Sequence, residues 1–102
     1  LSGGQSKLVD IGRSLMGEPE LLLLDEPVAG VAGPLAEKIF NKLRKFVSEK
    51  QISILVIEHN MRAIMNLAQK IFCLAHGQLL AEGSPEQIKN DKRVINAYLG
   101  AQ

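Results

Sequence analysis

Residues 21–26 read "LLLLDE", a short apolar run that ends in two carboxylates. Periodicity alone does not distinguish a buried strand from a buried helix in so short a run, so the segments that follow decide. Pro34 opens a stretch with apolar residues at helical spacing, and "ISILVI" at 52–57 is rich in β-branched residues. Strand, helix and strand in this order form a right-handed crossover. The sequence therefore predicts an α/β fold in which a helix over 34–49 joins parallel strands at 21–25 and 52–57, the first buried on both faces.

The flanking segments extend this prediction in both directions. Apolar residues at helical spacing predict a helix over 2–16, and "KIFCLA" and "QLLAEG" around Gly77 predict a β-hairpin over 70–83. A short helix precedes the hairpin, and two short helices follow it, with Gly100 as a stop signal. Polar residues stand where N-caps are needed: Ser2, Asn60, Ser84 and Asp91. No repeat or linker divides residues 1–102, which we interpret as parts of one domain.

Composition and charge exclude several classes of function. Twelve basic and eleven acidic residues give a net charge of +1 without a basic stripe, so no nucleic-acid partner is expected. The longest apolar runs are far shorter than the roughly 20 residues that cross a bilayer, so any membrane association must come through another protein. The single cysteine, Cys73, cannot form an internal disulfide and lies in an apolar segment typical of a buried residue.

Three short motifs carry the candidate chemistry: "LSGGQ" at 1–5, "LLLLDE" at 21–26 and "IEHN" at 57–60. Each has an ordinary structural interpretation when taken alone. A Ser-Gly-Gly turn caps helices, an Asp-Glu pair can be a solvated strand end, and one histidine is usually structural. Their order and close spacing favour a functional interpretation of all three together.

In this order the motifs resemble the signature motif, the Walker B motif and the switch histidine of ABC transporter ATPases. The resemblance covers essentially the whole chain. "EPVAGV", "IEHNM" and the tail "AEGSPEQI…VINAYLG" are similar, more specifically, to the ATP-binding subunits of branched-chain amino-acid importers. The resemblance implies the C-terminal part of a P-loop NTPase fold, with ATP and Mg²⁺ as ligands.

The first motif lies where a helix N-terminus would bind an anion. The first N–H groups of a helix lack intrahelical partners, and glycines let a phosphate approach closely. The resemblance implies that Ser2, Gly3, Gly4 and Gln5 contact the γ-phosphate of an ATP molecule held by the opposite subunit.

The other two motifs follow the two predicted strands and so share the carboxyl edge of the sheet. Asp25 ends the first strand, from which its carboxylate can help to hold Mg²⁺. Glu26 points the opposite way if strand geometry persists, and the resemblance implies that it is the general base or at least the group that orients the attacking water. His59 resembles the switch histidine that contacts the γ-phosphate.

Two features depart from the family pattern. The 102 residues contain no G-x-x-x-x-G-K-[ST] phosphate loop, and the resemblance puts Walker A, the Q-loop glutamine and the adenine-stacking aromatic upstream. We therefore expect the chain to be the C-terminal part of a longer ATPase, with unpaired strand edges that make it a poor folder alone. In "VAGVAGP", Ala32 stands where the D-loop commonly carries Asp, which weakens a role for that side chain in coupling the two sites.

The resemblance implies an ATP-hydrolysing motor subunit of an ABC importer at the cytoplasmic face of the plasma membrane. Its expected partners are a second ATPase subunit, identical or a sister, the membrane permease subunits and, indirectly, a periplasmic or extracellular solute-binding protein. Substrate choice belongs to the permease and the binding protein. An alternative is a truncated, hydrolysis-dead module that lends its signature motif to a complete partner. A non-transport ABC ATPase acting on DNA or ribosomes is disfavoured because a basic stripe is absent.

Overall fold

The structure is a computed structural model that describes residues 3–99, so the expected Ser2 cap and Gly100 stop lie outside the described residues. The chain divides into two compact units, a first unit that ends at His59 and a second unit that begins at Asn60. In chain order the elements are α1 (Gly3–Met16), β1 (Leu21–Asp25), α2 (Gly33–Lys50), β2 (Ser53–Ile57), α3 (Met61–Leu67), β3 (Ile71–Ala75), β4 (Gln78–Gly83), α4 (Pro85–Lys89), α5 (Lys92–Val94) and a π-helical turn (Ile95–Leu99). No helix in this part of the chain is long and apolar enough to cross a membrane.

The first unit confirms the predicted crossover. β1 and β2 pair in parallel, with Leu21 opposite Ser53 and Asp25 opposite Ile57, and α2 connects them. The predicted bounds of both strands and of α2 agree with the structure to within one residue. Pro34 lies in the first turn of α2, where its missing N–H costs nothing.

The core of the first unit lies on one side of its sheet only. Three of its buried side chains come from α2, where Ile39 and Leu43 are fully buried. Alternation along a strand puts Leu21 and Leu23 on the other face, together with Leu55 and Ile57 of β2, and these four residues are 53–65% exposed. The prediction that β1 is buried on both faces is therefore wrong for the described chain, because its second face meets solvent.

The second unit contains the predicted hairpin. β3 and β4 pair antiparallel with a register shift between Cys73 and Leu74, and the turn between them has positive φ at His76 (52°) and Gly77 (73°). Two successive positive φ values are typical of the turn that best matches the twist of a two-residue hairpin. The hairpin and the following helices enclose a small core: Ile71, Cys73, Ala81, Ile88 and Val94, with Met61, Ile64, Met65 and Tyr98 among the partly buried residues around it.

Local side-chain bonds begin the helices of the second unit, as the sequence predicted. Asn60 accepts a hydrogen bond from the Ala63 N–H, and Ser84 forms a reciprocal capping box with Gln87. Asp91 caps α5, and its hydrogen bonds and ion pair with Arg93 lower the pKa of Asp91 to about 2. Burial, with a smaller contribution from the Asp91 charge, raises the pKa of the Cys73 thiol.

Candidate nucleotide-hydrolysis site

Strand geometry ends at Asp25, and the backbone then turns sharply. Glu26 has a φ of 48°, in the left-handed region that side-chain-bearing residues rarely occupy. Its N–H donates to the carbonyl of Ile57 at 2.7 Å, and its carbonyl accepts from the Ala29 N–H at 3.1 Å. The expectation that Glu26 opposes Asp25 assumed continued strand geometry, which the structure does not have. A costly backbone conformation at a polar residue after a strand is typical of functional sites.

The structure brings His59 to Glu26 from 33 residues away. The Nδ1 atom of His59 lies 2.8 Å from the Oε1 atom of Glu26, and the two side chains are 74% and 46% exposed. An ionised carboxylate can only accept, so this bond requires a proton on Nδ1. Because β2 ends opposite the end of β1, the pair lies at the carboxyl edge of the parallel strands, next to Asp25.

Two residues that the sequence analysis did not select also contact this segment. The Lys7 ammonium group of α1 donates to the carbonyl of Glu26 at 3.2 Å, and the Glu58 carboxylate accepts from the Val28 N–H at 3.4 Å. Glu58 stands in the "IEHN" motif, which is the one signal that could have drawn attention to it. Lys7 has no comparable signal, because its partner is 19 residues away.

The glycines of the first motif differ in their surroundings. Gly3 and Gly4 form the start of α1, where N–H groups lack intrahelical partners. Gly3 is exposed, and a Cβ atom built there meets nothing within 4 Å. Gly4 is buried, and a Cβ atom there would overlap the Leu35 side chain and lie 3.2 Å from Cγ1 of Val31. Packing against α2 therefore requires Gly4, whereas the open space around Gly3 suits an approaching ligand.

Asp25 is the residue that the sequence analysis predicts to contact a magnesium ion. Its side chain is exposed at the end of β1, beside a shallow cavity of about 180 Å³ that Lys7 and Asp10 also line. Residues 3–99 contain no cluster of three or more His, Cys, Asp or Glu side chains that could hold a metal ion. A single carboxylate suits Mg²⁺, which usually takes its remaining ligands from water and from substrate phosphates.

Family models match both ends of the chain. Residues 1–29 match the model described as "ABC transporter", and residues 78–102 match "Branched-chain amino acid ATP-binding cassette transporter". The first match contains the Gly3, Gly4, Asp25 and Glu26 positions. The second contains β4 and the helices that follow it.

Relatives match along nearly the whole chain. The probable branched-chain amino acid transport ATP-binding protein LivG of Methanocaldococcus jannaschii is 44% identical over 98% of this chain and 40% of the relative. The lipopolysaccharide export system ATP-binding protein LptB of Haemophilus influenzae is 35% identical over 100% of this chain and 42% of the relative. The chain thus spans about 40% of the length of these curated relatives.

A solved structure also matches nearly the whole chain. An ATP-binding cassette of an ABC transporter, crystallised in its ADP conformation, superposes with a TM-score of 0.85 at 39% identity, covering 98% of this chain and 41% of that one. The fold is therefore that of the ATP-binding cassettes of ABC transporters, which is a P-loop NTPase fold, and the sequence is similar to theirs. Within that class, the chain is similar to the ATP-binding proteins of branched-chain amino acid transport.

Proposed function

We propose that residues 1–102 form part of the ATPase domain of an ABC importer and contribute its hydrolytic carboxylate. The observation that carries this proposal is the 2.8 Å contact between Glu26 and His59 at the end of two parallel strands. The similarity to ABC ATPases supplies the chemical context. In this proposal Glu26 acts on the water that attacks the γ-phosphate, and His59 is the switch histidine.

In this proposal the two carboxylate oxygens of Glu26 have different roles. His59 donates from Nδ1 to Oε1, which orients the carboxylate. The other oxygen, Oε2, is then the one to accept a proton from the attacking water. Because both side chains are partly exposed, water can reach the pair in the described chain.

The remaining predicted site residues act on the nucleotide. Ser2, Gly3, Gly4 and Gln5 are proposed to bind the γ-phosphate of an ATP molecule held by a second ATPase subunit, through the positive N-terminal end of α1. Asp25 is proposed to help hold Mg²⁺, which when bound neutralises charge that develops on the phosphate oxygens.

The similarity to transport ATP-binding proteins supports the proposed partners and location. Hydrolysis in a pair of such subunits would drive permease subunits at the cytoplasmic face of the plasma membrane, with a solute-binding protein delivering the substrate. Branched-chain amino acids are the proposed substrates, because both the LivG relative and the C-terminal family match are named for them.

The test is Glu26→Gln in the full-length ATPase that this proposal assumes. Glutamine can keep the hydrogen bond to His59 but is not a base, so turnover should fall by about 10² to 10⁴ while ATP binding persists. Glu37→Gln is the matched control, because Glu37 is an exposed residue of α2. Turnover by Glu26→Gln near that of the control would remove Glu26 from catalysis. Phosphate release and nucleotide binding should be measured on the same preparations.

A second measurement tests the part of the proposal that concerns these 102 residues alone. They contain no lysine-bearing phosphate loop to hold the β- and γ-phosphates, so we expect the purified polypeptide to release no phosphate from MgATP. Magnesium-dependent turnover that survives an inhibitor of contaminating ATPases would contradict this expectation.

A further inference from the structure

We infer that Lys7 and Glu58 are positioning residues that hold the turn at residues 26–29 so that the Glu26 carboxylate faces His59. This inference rests on the proposed function, since it assigns both residues to the same hydrolytic site. It concerns the backbone that presents Glu26 and adds no group that touches the nucleotide.

Every backbone N–H group of this turn has a partner. Pro27 has none to offer, the Glu26 N–H donates to the Ile57 carbonyl, and the Ala29 N–H donates to the Glu26 carbonyl. The Val28 N–H is the remaining donor, and its partner is the Glu58 side chain. Because Val28 is buried, with 8% of its surface exposed, loss of Glu58 would leave this donor with poor access to water.

Lys7 acts on the other side of the same peptide segment. The carbonyl of Glu26 accepts two hydrogen bonds, one from the Ala29 N–H inside the turn and one from the Lys7 ammonium group on α1. A bond from a charged donor is stronger than one between neutral groups. It holds the peptide plane that follows Glu26, while the bond from the Glu26 N–H to the Ile57 carbonyl holds the preceding plane. The two planes together fix the backbone angles of Glu26, including its φ of 48°.

The two contacts are needed because the Glu26 conformation is costly for a residue with a side chain. When one contact is removed, the turn can relax toward an ordinary backbone conformation. The carboxylate then spends less time 2.8 Å from His59. The rate of hydrolysis should fall, whereas groups that bind ATP stay in place.

The experiment compares disruptive with conservative variants in the full-length ATPase. Lys7→Met removes the donor and Glu58→Ala removes the acceptor, whereas Lys7→Arg and Glu58→Gln keep a donor and an acceptor. We expect a fall of about tenfold in kcat, with an unchanged KM for ATP, for each disruptive variant and recovery in each conservative one. Lys38→Met and Glu37→Gln, at exposed positions of α2, are matched controls.

A purely structural role would lower the amount of folded enzyme and leave kcat per folded molecule unchanged, so thermal unfolding is recorded for each variant. Combination with Glu26→Gln gives the sharper readout: Lys7→Met should cause no further loss of single-turnover rate when the Glu26 base is already absent. An additive further loss, or kcat unchanged in both Lys7→Met and Glu58→Ala, would overturn the inference. Full turnover by Glu26→Gln itself would instead overturn the proposed function.

Discussion

The two units differ in how far apart in the sequence their hydrogen-bonded residues lie. In the first unit, the hydrogen bonds around Glu26 join residues that are 19, 30 and 33 positions apart. In the second, the caps at Asn60, Ser84 and Asp91 join residues two or three positions apart. The candidate chemistry therefore depends on long-range packing, whereas much of the second unit is specified by local bonds.

The largest stability effect should come from the long-range core of the first unit. Leu43 is fully buried in α2, so Leu43→Ala removes packed methyl groups and leaves a cavity. We expect the free energy of unfolding of the protein that carries this chain to fall by about 2–5 kcal/mol. Urea denaturation measures it, with Lys42→Ala on the exposed side of α2 as control. Equal effects of the two substitutions would contradict the described core.

A smaller effect should separate the two glycines of the first motif. Gly4→Ala forces Leu35 to move, at a cost of about 1–3 kcal/mol, whereas Gly3→Ala has open space and gains helix propensity of up to about 1 kcal/mol. The midpoints of thermal unfolding should therefore move in opposite directions. If both variants are equally destabilised, close packing between α1 and α2 is not what requires a glycine at position 4.

The next effect lies in the locally specified second unit. Ser84→Ala removes the acceptor for the Gln87 N–H and should reduce the free energy of unfolding by about 1 kcal/mol. Ser84→Asp keeps a capping oxygen and serves as the matched control. Loss of stability in the Asp variant as large as in the Ala variant would show that the cap is not the cause.

The smallest effect concerns pH and the Asp91 cap. The pKa of this carboxylate falls from its ordinary value of 3.8 to about 2 on folding, so its contribution to stability is present above about pH 4 and is lost as pH falls toward 2. Asp91→Asn should show a shallower loss of stability over this interval than the unmodified chain. Identical acid profiles for the two proteins would remove Asp91 from this role.

Sequence patterns predicted most of the secondary structure because these signals are local. The caps at Asn60, Ser84 and Asp91, and the turn at Gly77, depend on neighbours within a few residues, and the structure confirms each of them. The parallel pairing of β1 with β2 was also predictable, because a helix between two strands is the long connection that parallel strands need.

Other features of the first unit could not be predicted from the sequence. Apolar runs such as "LLLL" indicate that a strand avoids water, but they do not say whether the chain itself covers both faces. The left-handed conformation of Glu26 depends on packing, and so do its contacts with Lys7 and His59. Proximity of Glu26 to His59 was inferable from the shared sheet edge, whereas the atoms that meet were not.

The buried thiol of Cys73 can be used to measure how often the second unit opens. The chain's single thiol is 5% exposed, and burial raises its pKa, so a thiol reagent reacts only when β3 transiently separates from its neighbours. The labelling rate, divided by that of the unfolded chain, measures how often this happens. The dynamics of the hairpin can thus be followed by mass spectrometry without any introduced label.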